Sequence, residues 1–244
     1  MHRLYTNMAR WWPLLSPPFE YVEEAADLLR IIHTRVGSGA RSGTARRSLL
    51  ELGCGGGSLA SHLAPHFDLT LTDLSPDMAE VCRRAVPQAD VTVGDMRTLR
   101  LGRQFDIVLV HDAIMYATDG HQLRATFATA AAHCAPGGMA VFLPDCVRET
   151  FQPETDHGGH DDGARGLRFL WWSFDPDPDD SEFETHFAVL MREADGSVHA
   201  DHDAQRCGLF ARADWQQWLG EAGFSVERVV DPWRADVFVC RRGA

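Results

Sequence analysis

Lysine is absent from this sequence, because all 23 residues in the Lys+Arg count are arginine. This absence excludes several kinds of chemistry. Pyridoxal-phosphate enzymes and other Schiff-base enzymes need a lysine amine. P-loop enzymes need a lysine that reaches the β- and γ-phosphates, and protein kinases need a lysine on one strand. None of these classes fits the chain.

The sequence also lacks cysteine pairs and long apolar runs. None of its six cysteines forms a C-x-x-C pair, which argues against zinc ribbons and disulfide scaffolds and favours reduced thiols. No apolar run approaches the length that spans a bilayer. The opening stretch MHRLYTNMARWWPLLSPP has no signal-peptide pattern. We therefore expect a cytoplasmic location.

Net positive charge is lacking as well, since the formal net charge is −12 at pH 7. Nucleic acids and anionic membranes bind proteins largely through Lys and Arg on phosphate groups. We expect no nucleic acid and no membrane as a partner. We expect a small-molecule acceptor as the partner, and a monomer or homodimer.

The sequence does contain strand-like and helix-like segments that alternate from residue 48 to residue 145. This alternation predicts an α/β fold, a parallel sheet with helices on both faces. A predicted helix precedes it, joined by a Gly/Ser/Arg-rich linker over residues 37–47. Aromatic strands follow residue 145, and SVERVV and ADVFVCRR then predict a closing antiparallel pair.

Glycines follow the first predicted strand directly, in the stretch LLELGCGGGSLASHLA. In an open α/β sheet, ligands bind beyond the carboxyl ends of the strands, so these glycines would bring backbone close to a ligand. The spacing is E-x-G-x-G-x-G over Glu51, Gly53, Gly55 and Gly57, whereas dinucleotide sites have G-x-G-x-x-G. A nicotinamide-dependent oxidoreductase stays open as an alternative that this spacing opposes. A plain tight turn between strand and helix is the other.

Three acids lie at the ends of the first three predicted strands. Glu51 would repel a pyrophosphate and would suit a ligand with an ammonium group. Asp73 follows the glycines by about twenty residues, where a carboxylate can accept both ribose hydroxyls. Asp95 can accept from an exocyclic amine, and Met96 can cover a purine face. The three acids favour a cationic nucleoside as the ligand.

Successive motifs resemble those of class I S-adenosylmethionine-dependent methyltransferases. They are LLELGCGGGSLASHLA, LTLTDLSPDMAEVC, VGDMRTLRLGRQFDIVLVHD and CAPGGMAVFLPD. Within that family the chain is most similar to small-molecule enzymes, notably N-methyltransferases of amino sugars. The resemblance implies a Rossmann-like, mostly parallel sheet with an antiparallel last strand and a small cap. It also implies S-adenosyl-L-methionine as cofactor and S-adenosyl-L-homocysteine as its product.

The resemblance further implies a cofactor site. The N-terminal segment of these enzymes closes over the cofactor, so Tyr5 and Tyr21 are candidates to touch its carboxylate. The residues expected at the cofactor are Tyr21, Glu51, Gly53, Cys54, Gly55, Gly57, Asp73, Leu74, Met78, Asp95, Met96 and His111.

We expect one methyltransferase domain over residues 1–244. Its expected parts are an N-terminal helical lid (1–35), a cofactor-binding core (48–145), a substrate cap (146–210) and a closing helix with strands (211–244).

Two histidines are candidates for catalysis. His111 follows the fourth predicted strand, on the edge nearest the expected methyl group, and can act as a base near neutral pH or only form hydrogen bonds. His160 lies in the segment DHGGHDD, for which a base in a lid facing the substrate, a metal ligand and a solvated loop all remain open. We expect no metal. In the cap, Trp171, Trp172 and Phe174 can line an apolar pocket, although strand alternation puts only one tryptophan on each face.

The reaction expected is methyl transfer to nitrogen of a small molecule in secondary metabolism. Because the sulfonium methyl is already activated, positioning can supply most of the catalysis. O-methylation of a phenol, alcohol or carboxylate is one alternative. A protein that binds the cofactor without transferring methyl is the other.

Overall fold

The computed structural model describes residues 2–36 and 46–243, so most of the predicted linker lies outside the described residues. Two sheets organise this part of the chain. The central sheet has seven strands. Their order across the sheet is β11 (Phe224–Val229), β12 (Val237–Arg242), β5 (Cys134–Leu143), β4 (Phe105–His111), β1 (Arg47–Leu52), β2 (Phe67–Asp73) and β3 (Asp90–Val93).

The five strands β1 to β5 pair in parallel, whereas β12 pairs antiparallel with both β5 and β11. This confirms the predicted α/β fold with an antiparallel last strand and a closing antiparallel pair. Strand order reverses between β1 and β4, so the cleft for a ligand is expected beyond the carboxyl ends of these two strands.

Helices cover both faces of the central sheet, because its inner strands are apolar on both sides. Leu49 packs with one helical layer and Leu50 with the other. The first layer contains α2 (Val22–Arg35), α3 (Ser58–Leu63) and α4 (Pro76–Ala85), and the second contains α5 (Gly120–His133) and α6 (Arg212–Glu221). Ser75 and Asp119 cap α4 and α5 by accepting hydrogen bonds from backbone amides in the first turn.

Residues 2–21 form the N-terminal strap, which contains short 3₁₀ turns and α1 (Trp12–Leu15). The expected N-terminal lid over residues 1–35 is therefore divided, since α2 belongs to a helical layer of the core. The strap packs on the second sheet through buried apolar side chains. These are Leu4, Met8, Trp11, Leu14 and Leu15 against Leu167, Val189 and Met191.

The second sheet, the cap sheet, lies within the expected substrate cap over residues 146–210. Its strands are β6 (Glu154–Gly158), β7 (Asp161–Asp162), β8 (Arg165–Phe174), β9 (Glu182–Arg192) and β10 (Val198–Gly208), all paired antiparallel. Alternation gives it an inner face towards the central sheet and an outer face. All six cysteines are free thiols. Within residues 2–36 and 46–243, no helix is long and apolar enough to cross a bilayer.

Candidate active site

A cavity of about 1000 Å³ lies at the carboxyl edge of the central sheet. The strands β1, β2 and β4 and the turns that follow them form one wall. The cap sheet and the N-terminal strap form the opposite walls. The cavity is large enough for a nucleoside-sized ligand with a small acceptor beside it, given that single-ligand pockets measure about 300–1,000 Å³.

The turn after β1 brings its backbone to this cavity. Gly53 and Gly55 line it and have φ values of 80° and 53°, which side-chain-bearing residues rarely adopt. A Cβ on Gly53 would lie 2.3 Å from Ala113 Cβ. The amide of Gly55 donates to Asp73 Oδ2 at 2.9 Å. The glycines thus fit the predicted cradle for a ligand. Cys54 also lines the cavity, with its Sγ 3.7 Å from Cys82 Sγ.

Two residues expected at the cofactor lie elsewhere. Gly57 does not line the cavity; it precedes α3 at φ 82°, and a Cβ there would lie 2.9 Å from Cys82 Sγ. Its role is close packing of α3 on α4. Met78 is fully buried on α4, and its methyl group would lie 3.7 Å from a Cβ on Gly55, so it supports the turn from below.

Glu51 is the buried acid of the cavity. Its side chain is only 2% exposed, and its Oε2 has no hydrogen-bond partner among the described residues. Burial raises the pKa of Glu51 to about 7. A buried carboxylate oxygen without a partner is costly. An ammonium group of a ligand would supply the missing donor, and that observation supports a cationic cofactor here.

Asp73 and Asp95 also line the cavity. Asp73 accepts from the amides of Gly55 and Ser75, and burial raises its pKa. Asp95 is held by Arg97, which lowers its pKa. A nucleoside contact by Asp95 would therefore involve an ion-paired carboxylate. The remaining predicted neighbours of the nucleoside, Leu74 and Met96, line the same part of the cavity.

Aromatic residues of the N-terminal strap close over the glycine turn. Trp12 lies so close that a Cβ on Gly56 would be 2.2 Å from its Cδ1, which explains why Gly56 is glycine. Tyr5 and Tyr21, the candidates to touch the cofactor's carboxylate, both line the cavity. The Tyr5 hydroxyl is hydrogen-bonded to Tyr116, and the Tyr21 hydroxyl lies 2.8 Å from Ser16 Oγ. This contact with Ser16 holds the Tyr21 ring beside the ring of His111.

His111 belongs to a cluster of charged side chains in the cavity wall. Its Nε2 lies 2.7 Å from Glu24 Oε1 and 2.9 Å from Arg234 Nη2. Arg234 also donates to Asp112 Oδ1 at 2.5 Å. Burial lowers the pKa of His111, but Asp112 and Glu24 outweigh burial and raise it. The cluster therefore shifts His111 towards the imidazolium form, and the nearby Arg234 charge opposes this shift.

His160 does not reach the cavity, in contrast to the expectation that it acts there. Its Nε2 lies 2.7 Å from Glu20 Oε1 on the N-terminal strap, and its backbone amide donates to Leu14. The neighbouring Asp161 is paired with Arg168 and Arg192. These contacts give the His160 segment the role of joining the strap to the cap sheet. No group of three or more His, Cys, Asp or Glu residues within 2–36 and 46–243 is placed to hold a metal ion.

The inner face of the cap sheet forms the remaining wall of the cavity. Trp171 lies on this inner face, together with Phe169 and Phe187. Trp172 and Phe174 do not line the cavity. They stack with His186 on the outer face, where Trp172 is 48% exposed. Strand alternation thus places the two tryptophans on opposite faces, and the outer face has no covering layer among the described residues.

Several cavity residues have no motif that would identify them in the sequence. They are Trp12, Glu24, Tyr116, Gln205 and Arg234. Each comes from a different segment, and only the folded chain brings them together. Asp145 also lines the cavity, and its place at the end of the motif CAPGGMAVFLPD, at the carboxyl edge of a parallel sheet, was the signal available for it.

Comparisons with known proteins find similarity to methyltransferases. Residues 49–138 match a family model described as a methyltransferase domain. The chain is 29% identical over 214 residues to dTDP-3-amino-3,6-dideoxy-alpha-D-glucopyranose N,N-dimethyltransferase of Streptomyces fradiae, covering 85% of this chain and 79% of the relative.

Two solved structures extend the likeness to nearly the whole chain. The sugar N-methyltransferase KedS8 from Streptoalloteichus superposes with a TM-score of 0.80 at 29% identity, over 92% of this chain and 88% of that one. CalS10 from Micromonospora echinaspora, an amino pentose methyltransferase solved with the cofactor bound, has a TM-score of 0.73 at 26% identity, over 91% of both chains.

Proposed function

We propose that this chain, a class I S-adenosylmethionine-dependent methyltransferase, methylates an amine nitrogen of a small sugar-like acceptor. When bound, the cofactor supplies an electrophilic methyl group on a sulfonium. The chain's own residues would bind it through the backbone at Gly53 and Gly55, the Glu51 carboxylate and the Asp73 carboxylate. The buried Glu51 oxygen without a partner supports this assignment.

The observation that carries the choice of nitrogen is the charge of the cavity. Among residues 2–36 and 46–243, eight carboxylates line it, and the two arginines that line it are both paired with carboxylates. The carboxylates are Glu24, Glu51, Asp73, Asp95, Asp112, Asp145, Glu154 and Asp156. A cavity with one sign of charge concentrates ligands of the other sign. An acceptor with an amine, which is an ammonium ion in water, fits such a cavity.

The acceptor is proposed to be sugar-like for two reasons. The cap sheet offers both aromatic and polar inner side chains, with Trp171 and Phe187 beside Thr185 and Gln205. Such a mixed wall suits a ring that has an apolar face and several hydroxyls. The Streptomyces fradiae relative is an N,N-dimethyltransferase of an amino sugar, and the sugar N-methyltransferase KedS8 has a similar fold over 92% of this chain.

The test compares matched acceptors. The protein is incubated with S-adenosylmethionine carrying an isotope-labelled methyl group and with pairs of sugars that differ only by an amine or a hydroxyl at one carbon. Mass spectrometry then reads the products. Labelled product from the amine member alone supports the proposal, whereas label only in the hydroxyl member overturns the choice of nitrogen. Cofactor binding without transfer to any acceptor would support a non-transferring protein.

A further inference from the structure

Two carboxyl groups meet at the ends of neighbouring strands, in the middle of the cavity wall. Asp112 directly follows β4, and Asp145 follows β5 by two residues. The parallel pairing of His111 with Leu143 places these two strand ends side by side. The cofactor contacts expected from the sequence use neither of the two aspartates.

The backbone at Asp112 is held in a conformation that positions its carboxyl group. Asp112 has a φ of 47°, and it is the only residue other than glycine with a positive φ within the described ranges 2–36 and 46–243. Such a conformation costs about 1–3 kcal/mol and persists where surrounding contacts enforce it. Its amide donates to Leu143 at 3.0 Å, its carbonyl accepts from Met115 at 2.9 Å, and Arg234 holds its Oδ1.

Asp145, by contrast, is open to the cavity. Its side chain lines the cavity between the glycine turn and the cap sheet. The cofactor's reactive end and the acceptor are expected to meet between these two walls. Asp145 therefore presents a carboxyl group to the acceptor.

We propose that Asp145, supported by Asp112, accepts the proton that the acceptor's ammonium group must lose before nitrogen can attack. This inference rests on the proposed function. The proton passes from nitrogen to a carboxylate oxygen of Asp145, which leaves a neutral amine. The amine's lone pair then forms the N–C bond to the methyl carbon, the C–S bond breaks, and its electron pair remains on sulfur as a thioether.

The surroundings of Asp145 favour such a role. Enclosure in the protein raises its pKa, and the adjacent Asp112 carboxylate raises it further, while Arg234 and His111 oppose the increase. Cys146, Cys207 and Tyr116 also face it, and burial keeps all three neutral by raising their own pKa values. A carboxylate accepts a proton most effectively when its pKa is raised towards the working pH.

The test compares the pH profile of kcat/KM for the wild type and Asp145→Asn, using an amine that the wild type methylates. In the wild type, the reactive complex pairs a carboxylate with an ammonium ion, so we expect a plateau around neutral pH. In Asp145→Asn only the neutral amine reacts. We therefore expect about a 10²-fold loss at neutral pH, recovering about tenfold per pH unit towards the amine's own pKa.

Further variants separate a proton acceptor from a structural residue. Asp145→Glu retains the carboxyl group and should restore part of the neutral plateau. Asp112→Asn removes the neighbouring charge and should move the acid limb to lower pH. Asp179→Asn, in the exposed turn before β9, is the matched control and should keep the wild-type profile.

A second readout needs neither cofactor nor acceptor. Infrared difference spectra of the ligand-free protein should show a protonated carboxylic acid that titrates with the acid limb and disappears in Asp145→Asn. An Asp145→Asn enzyme that binds the cofactor normally and keeps the wild-type profile would overturn the assignment of Asp145 but leave N-methylation standing. A wild type that methylates no amine would instead overturn the proposed function, and this inference with it.

Discussion

The substitution Glu51→Gln tests the link between a costly buried acid and cofactor binding. The pKa of Glu51 is raised from its usual value of 4.5 to about 7 by burial. At 1.36 kcal/mol per pKa unit, this difference corresponds to about 3 kcal/mol. That energy is the cost of holding an ionised Glu51 in the folded, ligand-free protein.

The sign of the effect follows from which state binds the proton. Between about pH 4.5 and about pH 7 the folded protein keeps a proton on Glu51 that the unfolded chain has lost. Stability therefore falls as pH rises through this window and stays low above it. Glutamine cannot ionise, so the free energy of unfolding of Glu51→Gln lacks this pH dependence. Between about pH 4 and about pH 8, the stability of the variant relative to the wild type should therefore rise by up to about 3 kcal/mol.

Chemical denaturation of the ligand-free proteins at both pH values measures this difference. Calorimetry then measures the affinity of both proteins for S-adenosylhomocysteine. Loss of a charge-assisted hydrogen bond should weaken binding by about ten- to a hundredfold. Glu23→Gln, an exposed glutamate on α2, is the matched control. If Glu51→Gln showed the same pH dependence of stability as the wild type, the argument from burial would be wrong.

Three other predictions concern the N-terminal strap, the cap sheet and the contact between them. Gly56→Ala places a methyl group where Trp12 lies, so it should destabilise the protein by about 1–3 kcal/mol and increase proteolysis of the strap; unchanged proteolysis would contradict the packing. Trp171→Ala should raise KM for the acceptor, whereas Trp172→Ala, at the neighbouring outer-face residue, should leave KM unchanged. Equal effects on KM would refute the assignment of Trp171 to the inner face and Trp172 to the outer face. His160→Gln should leave kcat unchanged, and a large loss of kcat would show that His160 takes part in the reaction.

The central sheet and the glycine turn could be predicted because their signals are local. Alternating apolar segments define the strands, and the position of Glu51 and the glycines follows from where β1 ends. Gly57 and Met78 do not line the cavity, and the sequence could not show this, because a glycine required for helix packing looks the same in sequence as one that approaches a ligand. The difference depends on whether Cys82 or the cavity lies next to it.

The charged wall of the cavity was the least predictable part. Glu24, Asp112 and Arg234 come from a helix, a strand end and a loop between the last two strands, and no spacing connects them. His111 was found from its position after β4, but its pairing with Glu24 depends on where α2 docks. His111, which the sequence predicts as a candidate base, is therefore part of an ion-pair cluster in the fold.

The most direct test of methyl transfer to nitrogen uses S-adenosylmethionine with a ¹³C-labelled methyl group and an amino sugar that also has free hydroxyls. The carbon resonance of the transferred methyl group distinguishes attachment to nitrogen from attachment to oxygen. We expect an N-methyl resonance, with no O-methyl signal from the same molecule. An O-methyl resonance in place of it would contradict the claim that this acid-lined cavity directs the methyl group to an amine.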